Sequence, residues 1–265
     1  MHRGDDIAGV VLAAGAGRRL WPLTLERPKA LCPVAGVALV DLALERIGPQ
    51  VGDCAVNLHH GAEQLDAHLG SHVHRSWERA EALGTAGALG ALRPWIDGRD
   101  VMVANADAWL PASLDLWSFV GDWDRERIRL LCIRDPARGD FGDLRYCGVA
   151  LQPAATVAGF EPVPSGLYEV SWRDAWSAGR LDLVATEAAF IDCGTPADYL
   201  AANLAASDGR SVIGADAAIG EGAVVRRSVV WDGAPVAPGE VLVDAVRTAS
   251  RTVLVRGAPA TGHPS

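Results

Sequence analysis

The chain has 265 residues, 49% of them hydrophobic and 22% charged, with 33 acidic against 24 basic side chains and a formal net charge of −9. That size and apolar content suit one large folded domain, or a main domain with a small appendage, and exclude a disordered tail. The acidic balance argues against a general nucleic-acid or membrane-surface binder, because meeting a field of phosphates takes a positive surface; a small anionic substrate remains admissible if a metal or a local basic cluster supplies charge.

In chain order, the first residues, Met1–Asp6, carry acids where a secretory signal would carry its positive region. Ile7–Ala14 is a short apolar run ending in Gly15-Ala16-Gly17, the pattern of a buried parallel strand and a tight loop. Leu39–Ile47 predicts a helix with Leu39, Leu42 and Ile47 inward, Asp53–Leu58 a strand, and Glu63–Leu69 a short helix. Gly87–Leu92 reads as a helix stopped by Pro94. Asp100–Ala104 and Arg129–Ile133 read as buried strands, Gly148–Leu151 and Phe190–Asp192 as further strands, and Ala197–Ala206 as a helix behind Pro196. This alternation predicts an α/β layered domain, Rossmann-like, with a mostly parallel sheet. Ligands of such sheets bind beyond the carboxyl ends of the strands, where Gly15–Gly17 and Asp107 both fall.

Near residue 207 the texture changes. Ile213-Gly214 and Ile219-Gly220 repeat with a period of six and Val225 keeps the step, the spacing of a parallel β-helix. Residues 1–206 are therefore expected to form the main domain, 207–256 a short left-handed β-helix-like appendage, and 257–265, rich in Pro, Gly and Thr, a flexible tail. The appendage is too short for a self-standing solenoid and is a candidate surface for homo-oligomer contacts.

The five cysteines, Cys32, Cys54, Cys132, Cys147 and Cys193, are scattered with no C-x-x-C pair, which fits a reducing cytoplasm better than a disulfide framework. No apolar run approaches membrane length. Lys29 is the only lysine, so 23 of the 24 basic residues are arginine; with nine tryptophans, this points to genomic base composition. The histidines His59, His60, His68, His72 and His74 lack partners at zinc-ligand spacing and read as surface residues, Trp172 and Trp176 as core packing. Glu78 and Glu81 fit either a ligand contact or a solvated loop.

One stretch carries chemistry. Leu12-Ala-Ala-Gly-Ala-Gly-Arg-Arg-Leu-Trp-Pro-Leu-Thr24 is followed by Arg27-Pro-Lys-Ala-Leu-Cys-Pro-Val-Ala-Gly36. Gly15 and Gly17 let backbone N–H groups approach phosphate oxygens, and Arg18, Arg19, Arg27 and Lys29 gather positive charge in an acidic chain. It is neither a dinucleotide fingerprint, since Leu20 replaces the third glycine, nor a Walker loop.

This string resembles the signature of the sugar-1-phosphate nucleotidyltransferases, L-A-A-G-x-G-x-R-L-x-P-L-T and P-K-x-L-x-P-V-x-G. Val56–His60, Leu83-Gly-Thr-Ala-Gly-Ala-Leu89 and Phe190-Ile-Asp-Cys-Gly-Thr-Pro196 are similar to further segments of that family, in its order, so the resemblance covers roughly residues 7–206. It implies that Leu12, Ala13, Ala14, Gly15, Gly17, Arg18 and Arg19 hold a nucleoside triphosphate, and that Leu83–Leu89 is a loop holding its base through Gly84 and Thr85. It implies catalytic roles for Arg19, Lys29 and Asp107, and Mg²⁺ held by Asp107 and Asp192. On the sugar-phosphate side it points to Lys29, Gly148 and, by position alone, Arg145, because the family's second lysine is missing. The implied reaction is attack of a sugar 1-phosphate on the α-phosphorus of the triphosphate, with release of pyrophosphate. The Leu-Gly-Thr-Ala-Gly segment leans toward guanylyl transfer to mannose 1-phosphate. A cytidylyltransferase for a phosphorylated alcohol and a non-catalytic nucleotide-sugar-binding regulatory subunit stay as alternatives.

Overall fold

The computed structural model describes residues 6–255; the expected tail at 257–265 and most of the N-terminal acidic stretch lie outside them. Seven strands form the central sheet: β1 (Ile7–Leu12), β2 (Asp53–Leu58), β3 (His74–Trp77), β4 (Asp100–Asn105), β5 (Ile128–Arg134), β6 (Leu144–Gln152) and β7 (Leu181–Ala185). Their order is β7-β5-β6-β4-β1-β2-β3. All neighbours are parallel except at β6, which runs antiparallel to both β4 and β5. The expected strand at Gly148–Leu151 is thus the last half of a longer strand that enters the sheet in reverse.

Both faces of the sheet are covered, which is why central strands such as β1 and β4 read as nearly continuous apolar runs. Ile7 and Val11 of β1 face one side, packed with Val40, Ala43 and Ile47 of α1 (Leu39–Ile47) and Leu65 of α2 (Ala62–His68). Ala8 and Val10 face the other, against Ala86, Leu89, Leu92 and Ile96 of α3 (Gly84–Ile96). The inward stripe of α1 is Leu39, Val40, Ala43 and Ile47, with Leu42 only partly buried. Trp172 is buried as expected, but Trp176 is 45% exposed and meets Phe141 edge-on.

Two expectations about α3 need correction. The helix does not stop at Pro94: the proline sits in its last turn and forfeits one backbone bond instead of ending it. Nor is Leu83–Leu89 a loop, because α3 already begins at Gly84. Gly84, Gly87 and Gly90 line one face of it, against the backbone of residues 161–165. A Cβ on Gly87 would stand 2.2 Å from the Val163 carbonyl oxygen, and one on Gly84 2.5 Å from that of Ser165. Close approach to another backbone, not loop formation, is what these glycines serve.

The Pro196–Ala206 helix opens with Pro196 at its first turn and is capped by Thr195, whose Oγ1 accepts from the Asp198 N–H at 3.2 Å. After it the chain forms short parallel ladders, Val212–Ile213 on Val229–Val230 on Ala245–Arg247, with Ala218–Ile219 on Pro235–Val236 and Val224–Arg226 on Val241–Val243. Val229, Val230, Trp231 and Val246 bury themselves against Tyr199 and Leu200 of that helix and against Leu20, Leu23, Cys32 and Val34 near the N-terminus. Among the described residues, no helix is long and apolar enough to cross a membrane.

Candidate active site

The strand order reverses at β1: β2 and β3 follow on one side, β4 lies on the other. A sheet of this type opens a crevice at that switch point, outside the carboxyl ends of its strands. Leu12 closes β1 beside Asn57 of β2 and Asn105 of β4 in register. A cavity of about 240 Å³ opens there, lined by Leu12, Ala14, Gly15, Asn57, Ala82, Gly84, Thr85, Asn105 and Asp107.

The glycine loop leaves β1 over this cavity. A Cβ on Gly15 would meet nothing within 4 Å, so the bare backbone faces open space that a ligand can enter. Gly17 has φ +59°, and a Cβ there would come within 2.9 Å of Lys29 Cβ and Thr24 Cγ2; this glycine is required by packing. The Ala13 N–H is consumed by Asn57 Oδ1 at 2.7 Å, so Ala13 shapes the loop without offering its own donor. Arg18 is exposed beside the loop.

Lys29 lies in a one-turn helix, 9% exposed. Its Nζ donates to Asp107 Oδ2 at 2.5 Å and stands 3.8 Å from Asp192 Oδ1. The Arg19 guanidinium reaches Asp192 Oδ2 at 3.5 Å from a side chain that is otherwise open to solvent. Asp107 and Asp192 come together because the two-residue strand Ile191–Asp192 pairs antiparallel with Ala108–Trp109, and Cys193 N–H donates to the Asp107 carbonyl at 3.0 Å. Asp192 thus arrives from this separate ladder and not from the edge of the central sheet. Arg27 does not join the cluster: its guanidinium stacks 4.3 Å from the Trp231 ring centroid.

On the far side of Asp107 a second cavity of about 210 Å³ is lined by Asn105, Asp107, Ala108, Asp140, Arg145, Tyr146, Gly148, Phe190 and Asp192. Asn105 and Asp107 belong to both cavities. Gly148 has φ +91°, and a Cβ on it would come within 2.4 Å of Ala108 Cβ, so the wall beside Asp107 needs a glycine. The Arg145 guanidinium lies 3.6 Å from Asp135 and 5.1 Å from the Phe190 ring centroid. Tyr146 Oη is buried with no hydrogen-bond partner among the described residues, and burial pushes its pKa well up. The residues expected at the two ends of a reaction, Gly84 and Thr85 on one side and Arg145 and Gly148 on the other, therefore flank one carboxylate cluster.

Sequence reasoning missed the support of the first cavity. Asn57, 2% exposed, donates through Nδ2 to Glu78 Oε1 at 2.7 Å, and Glu78 Oε2 accepts the Leu83 N–H at 2.8 Å. Glu78 is itself buried, neither solvated nor a lining residue, and it ties the glycine loop to the start of α3. A lone polar residue in the apolar run Ala55–Leu58 was the available signal. Thr85 lines the cavity while its Oγ1 accepts from the Leu167 N–H at 2.8 Å. His60 Nδ1 lies 3.0 Å from the Ala14 carbonyl, a further brace on the loop. A larger groove, about 630 Å³ beside Leu42, Trp109 and Trp117, carries neither the glycine loop nor Asp107 or Asp192.

The cysteines are free thiols. Burial raises Cys32, Cys132 and Cys147 to about 12 and Cys193 further, so none of these four is poised as a nucleophile. What the cluster offers is charge and position: two carboxylates, an ammonium and a guanidinium at the meeting point of two cavities.

The model of the MobA-like NTP transferase domain family matches residues 9–216. An N-acetylmuramate alpha-1-phosphate uridylyltransferase from Caulobacter vibrioides is 31% identical over 76% of this chain and 97% of its own length. A protein of the same name from Neisseria meningitidis is 34% identical over 37% of this chain and 46% of its own. Among solved structures, a mannose-1-phosphate geranyltransferase from Thermus thermophilus superposes with a TM-score of 0.69 at 18% identity, covering 94% of this chain and 95% of that one. A Bacillus anthracis protein described as a glucose-1-phosphate thymidylyltransferase gives 0.64 at 20% identity, covering 76% and 96%. The two structures share the fold.

Proposed function

This chain belongs to the MobA-like NTP transferase domain family and is a nucleotidyltransferase, and we propose that it joins a nucleoside triphosphate to a sugar 1-phosphate, giving a nucleoside diphosphate sugar and pyrophosphate. The observation that carries this reading is Lys29 Nζ set between Asp107 and Asp192 where the two cavities meet. In the first cavity the triphosphate lies under the glycine loop with its base toward Gly84 and Thr85. In the second the sugar lies against Gly148, Tyr146 and Arg145, its phosphate facing the seam.

Transfer is an in-line displacement. An oxygen of the sugar phosphate attacks the α-phosphorus, the bond to the bridging oxygen breaks, and pyrophosphate leaves with the electron pair. Lys29 and Arg19 hold the phosphates and stabilise the charge that grows on them; no covalent enzyme intermediate is required. Water held off by the substrates themselves strengthens these interactions.

Asp107 and Asp192 fit a Mg²⁺ ion by donor chemistry, since both offer hard carboxylate oxygens within reach of one ammonium. Among the described residues no third carboxylate, histidine or cysteine joins them, as suits an ion that completes its shell with phosphate oxygens and water. Bound there, Mg²⁺ would neutralise the phosphates and polarise the α-phosphoryl oxygens.

The Caulobacter relative, matched over nearly its whole length, makes UTP and N-acetylmuramate α-1-phosphate the first pair to assay. The Leu83–Leu89 segment keeps GTP with mannose 1-phosphate as the second. The 17-residue step between successive ladders, Val212 to Val229 to Val246, supports reading the appendage as a short left-handed β-helix. The test is pyrophosphate release across four nucleoside triphosphates and several sugar 1-phosphates with Mg²⁺. Release that needs one triphosphate and one sugar phosphate supports the reading. Release with phosphocholine and CTP alone would replace it by the cytidylyltransferase reading, and silence throughout with retained nucleotide-sugar binding by the regulatory one.

A further inference from the structure

Arg18–Gly36, the segment that carries Arg19 and Lys29, contains three single-turn 3-10 helices and the first strand of a short hairpin, Pro33–Val34 on Val37–Ala38. Connections of that length with so little regular structure are uncommon in compact domains, and this one is braced from both sides. Its outer side is held by the turn at residues 248–251. Glu26 Oε1 accepts from Ser250 Oγ at 2.6 Å, from Arg251 Nε at 3.2 Å, and from Thr248 Oγ1. Arg27, next in sequence, stacks on Trp231. The Trp231 indole N–H donates to Tyr199 Oη at 3.0 Å, and Tyr199 Oη in turn donates to the Pro33 carbonyl. Asn203 Oδ1 accepts the Ala35 N–H at 3.0 Å. The appendage and the helix before it thus grip the segment on both sides of Lys29.

The inner side of the segment has no slack. Pro28 lies so close to Gly61 that a Cβ there would come within 2.7 Å of its ring, and the Lys29 stem packs on Gly17. Burial pushes the Glu26 carboxyl up, but hydrogen bonds from Ser250, Thr248 and Arg251, together with the charge of Arg251, outweigh it and hold the pKa below the ordinary value. Glu26 is therefore a charged anchor three residues before Lys29, made by a turn more than two hundred residues away in sequence.

We infer that Glu26 is a positioning residue for Lys29, through which the C-terminal appendage sets the ammonium between Asp107 and Asp192. The inference rests on the proposed nucleotidyl transfer for its kinetic readout. A shift of about 1 Å in a reacting group costs about 10²-fold in rate, so a loosened anchor acts on kcat more than on binding.

The experiment uses the full chain and the variants Glu26→Ala, Glu26→Gln, Arg251→Ala and the Glu26→Ala/Arg251→Ala pair. It measures kcat and KM for both substrates, thermal melting, and amide hydrogen exchange over residues 17–36. Glu26→Ala is expected to lose about 10- to 100-fold in kcat with KM for the sugar phosphate changed far less. Glu26→Gln, which keeps an acceptor oxygen, recovers most of that loss. Arg251→Ala moves kcat the same way, and the double variant is no worse than Glu26→Ala alone, because the two side chains act through one contact. Exchange over 17–36 rises in Glu26→Ala and Arg251→Ala. An unchanged kcat in Glu26→Ala, or a lower melting temperature with full activity well below it, overturns the inference and leaves Glu26 a structural contact. If the parent chain turns over no substrate pair, the proposed function fails separately. Exchange then decides alone: faster exchange over 17–36 in both variants upholds the anchor, and unchanged exchange overturns it. Should Glu26→Ala not fold, Glu26→Gln and Arg251→Ala carry the same comparison.

Discussion

Replacing Lys29 by arginine keeps the charge and should still abolish turnover. The ammonium fills a slot bounded by Asp107 Oδ2 at 2.5 Å and Asp192 Oδ1 at 3.8 Å. Behind it, a Cβ on Gly17 would already stand 2.9 Å from Lys29 Cβ and 3.5 Å from Cδ, so the stem cannot retreat. A guanidinium is a planar fork where the ammonium is a compact point charge, and its extra reach, roughly 1 Å, must displace Asp107 or the glycine loop. Misplacement by ~1 Å costs ~10²-fold, and removing one charge that stabilises a transition state costs on the order of 10²–10³-fold, or about 3–4 kcal/mol. The fold has less at stake. Both carboxylates are about a third exposed, and ion pairs with solvated partners contribute about 0–1 kcal/mol. Lys29→Arg and Lys29→Met are each expected to lose at least about 10²-fold in kcat while melting close to the parent. Coupled pyrophosphate release and thermal denaturation measure the two quantities. An arginine variant that keeps more than about a tenth of the parental kcat would refute the argument that shape, and not charge alone, fixes this position.

Glu78→Ala leaves the Asn57 amide and the Leu83 N–H without their buried acceptor, at about 1–3 kcal/mol each; a lowered melting temperature and a raised KM for the triphosphate are expected, and an unchanged KM would remove Glu78 from the support of the first cavity. Gly87→Ala should destabilise although alanine favours helices by about 1 kcal/mol, since its Cβ would stand 2.2 Å from the Val163 carbonyl oxygen and overpacking costs about 1–3 kcal/mol; a variant that melts at or above the parent contradicts the close approach. The thiols should resist Ellman's reagent at pH 8 in the native state. Burial holds Cys32, Cys132 and Cys147 at about 12, and burial with the neighbouring Asp53 charge holds Cys54 at about 11. Only on the order of 10⁻³ of Cys54 or less is then thiolate. Partly exposed Cys54 should react first, and rapid titration of several thiols without denaturant would contradict these environments.

Much of the fold was legible because its signals are local. Leu39–Ile47 and Asp53–Leu58 are bounded in the structure as the apolar pattern bounds them, since burial on one stripe or both faces is written into neighbouring residues. The reversal of β6 left no such trace, for direction within a sheet is decided by strands far away in sequence. The need for Gly84, Gly87 and Gly90 in α3 shows only once the backbone of residues 161–165 is placed against them. The site divides the same way. Gly15, Gly17, Lys29 and Asp107 stand at strand ends or in one motif and could be read in place. That Arg27 turns away to Trp231, and that Glu26 is held by Thr248, Ser250 and Arg251, depends on residues more than two hundred positions off in sequence, and no pattern near Arg27 announces it.

In the proposed reaction one phosphoryl bond is exchanged at the seam held by Lys29, Asp107 and Asp192. The most direct measurement follows α-³²P-labelled UTP with N-acetylmuramate α-1-phosphate and Mg²⁺, comparing the parent chain with Asp107→Ala. The parent is expected to move label into a nucleoside diphosphate sugar while the released pyrophosphate stays unlabelled, and Asp107→Ala to move almost none. Label that ends in UMP without sugar, or equal transfer by both proteins, would contradict it.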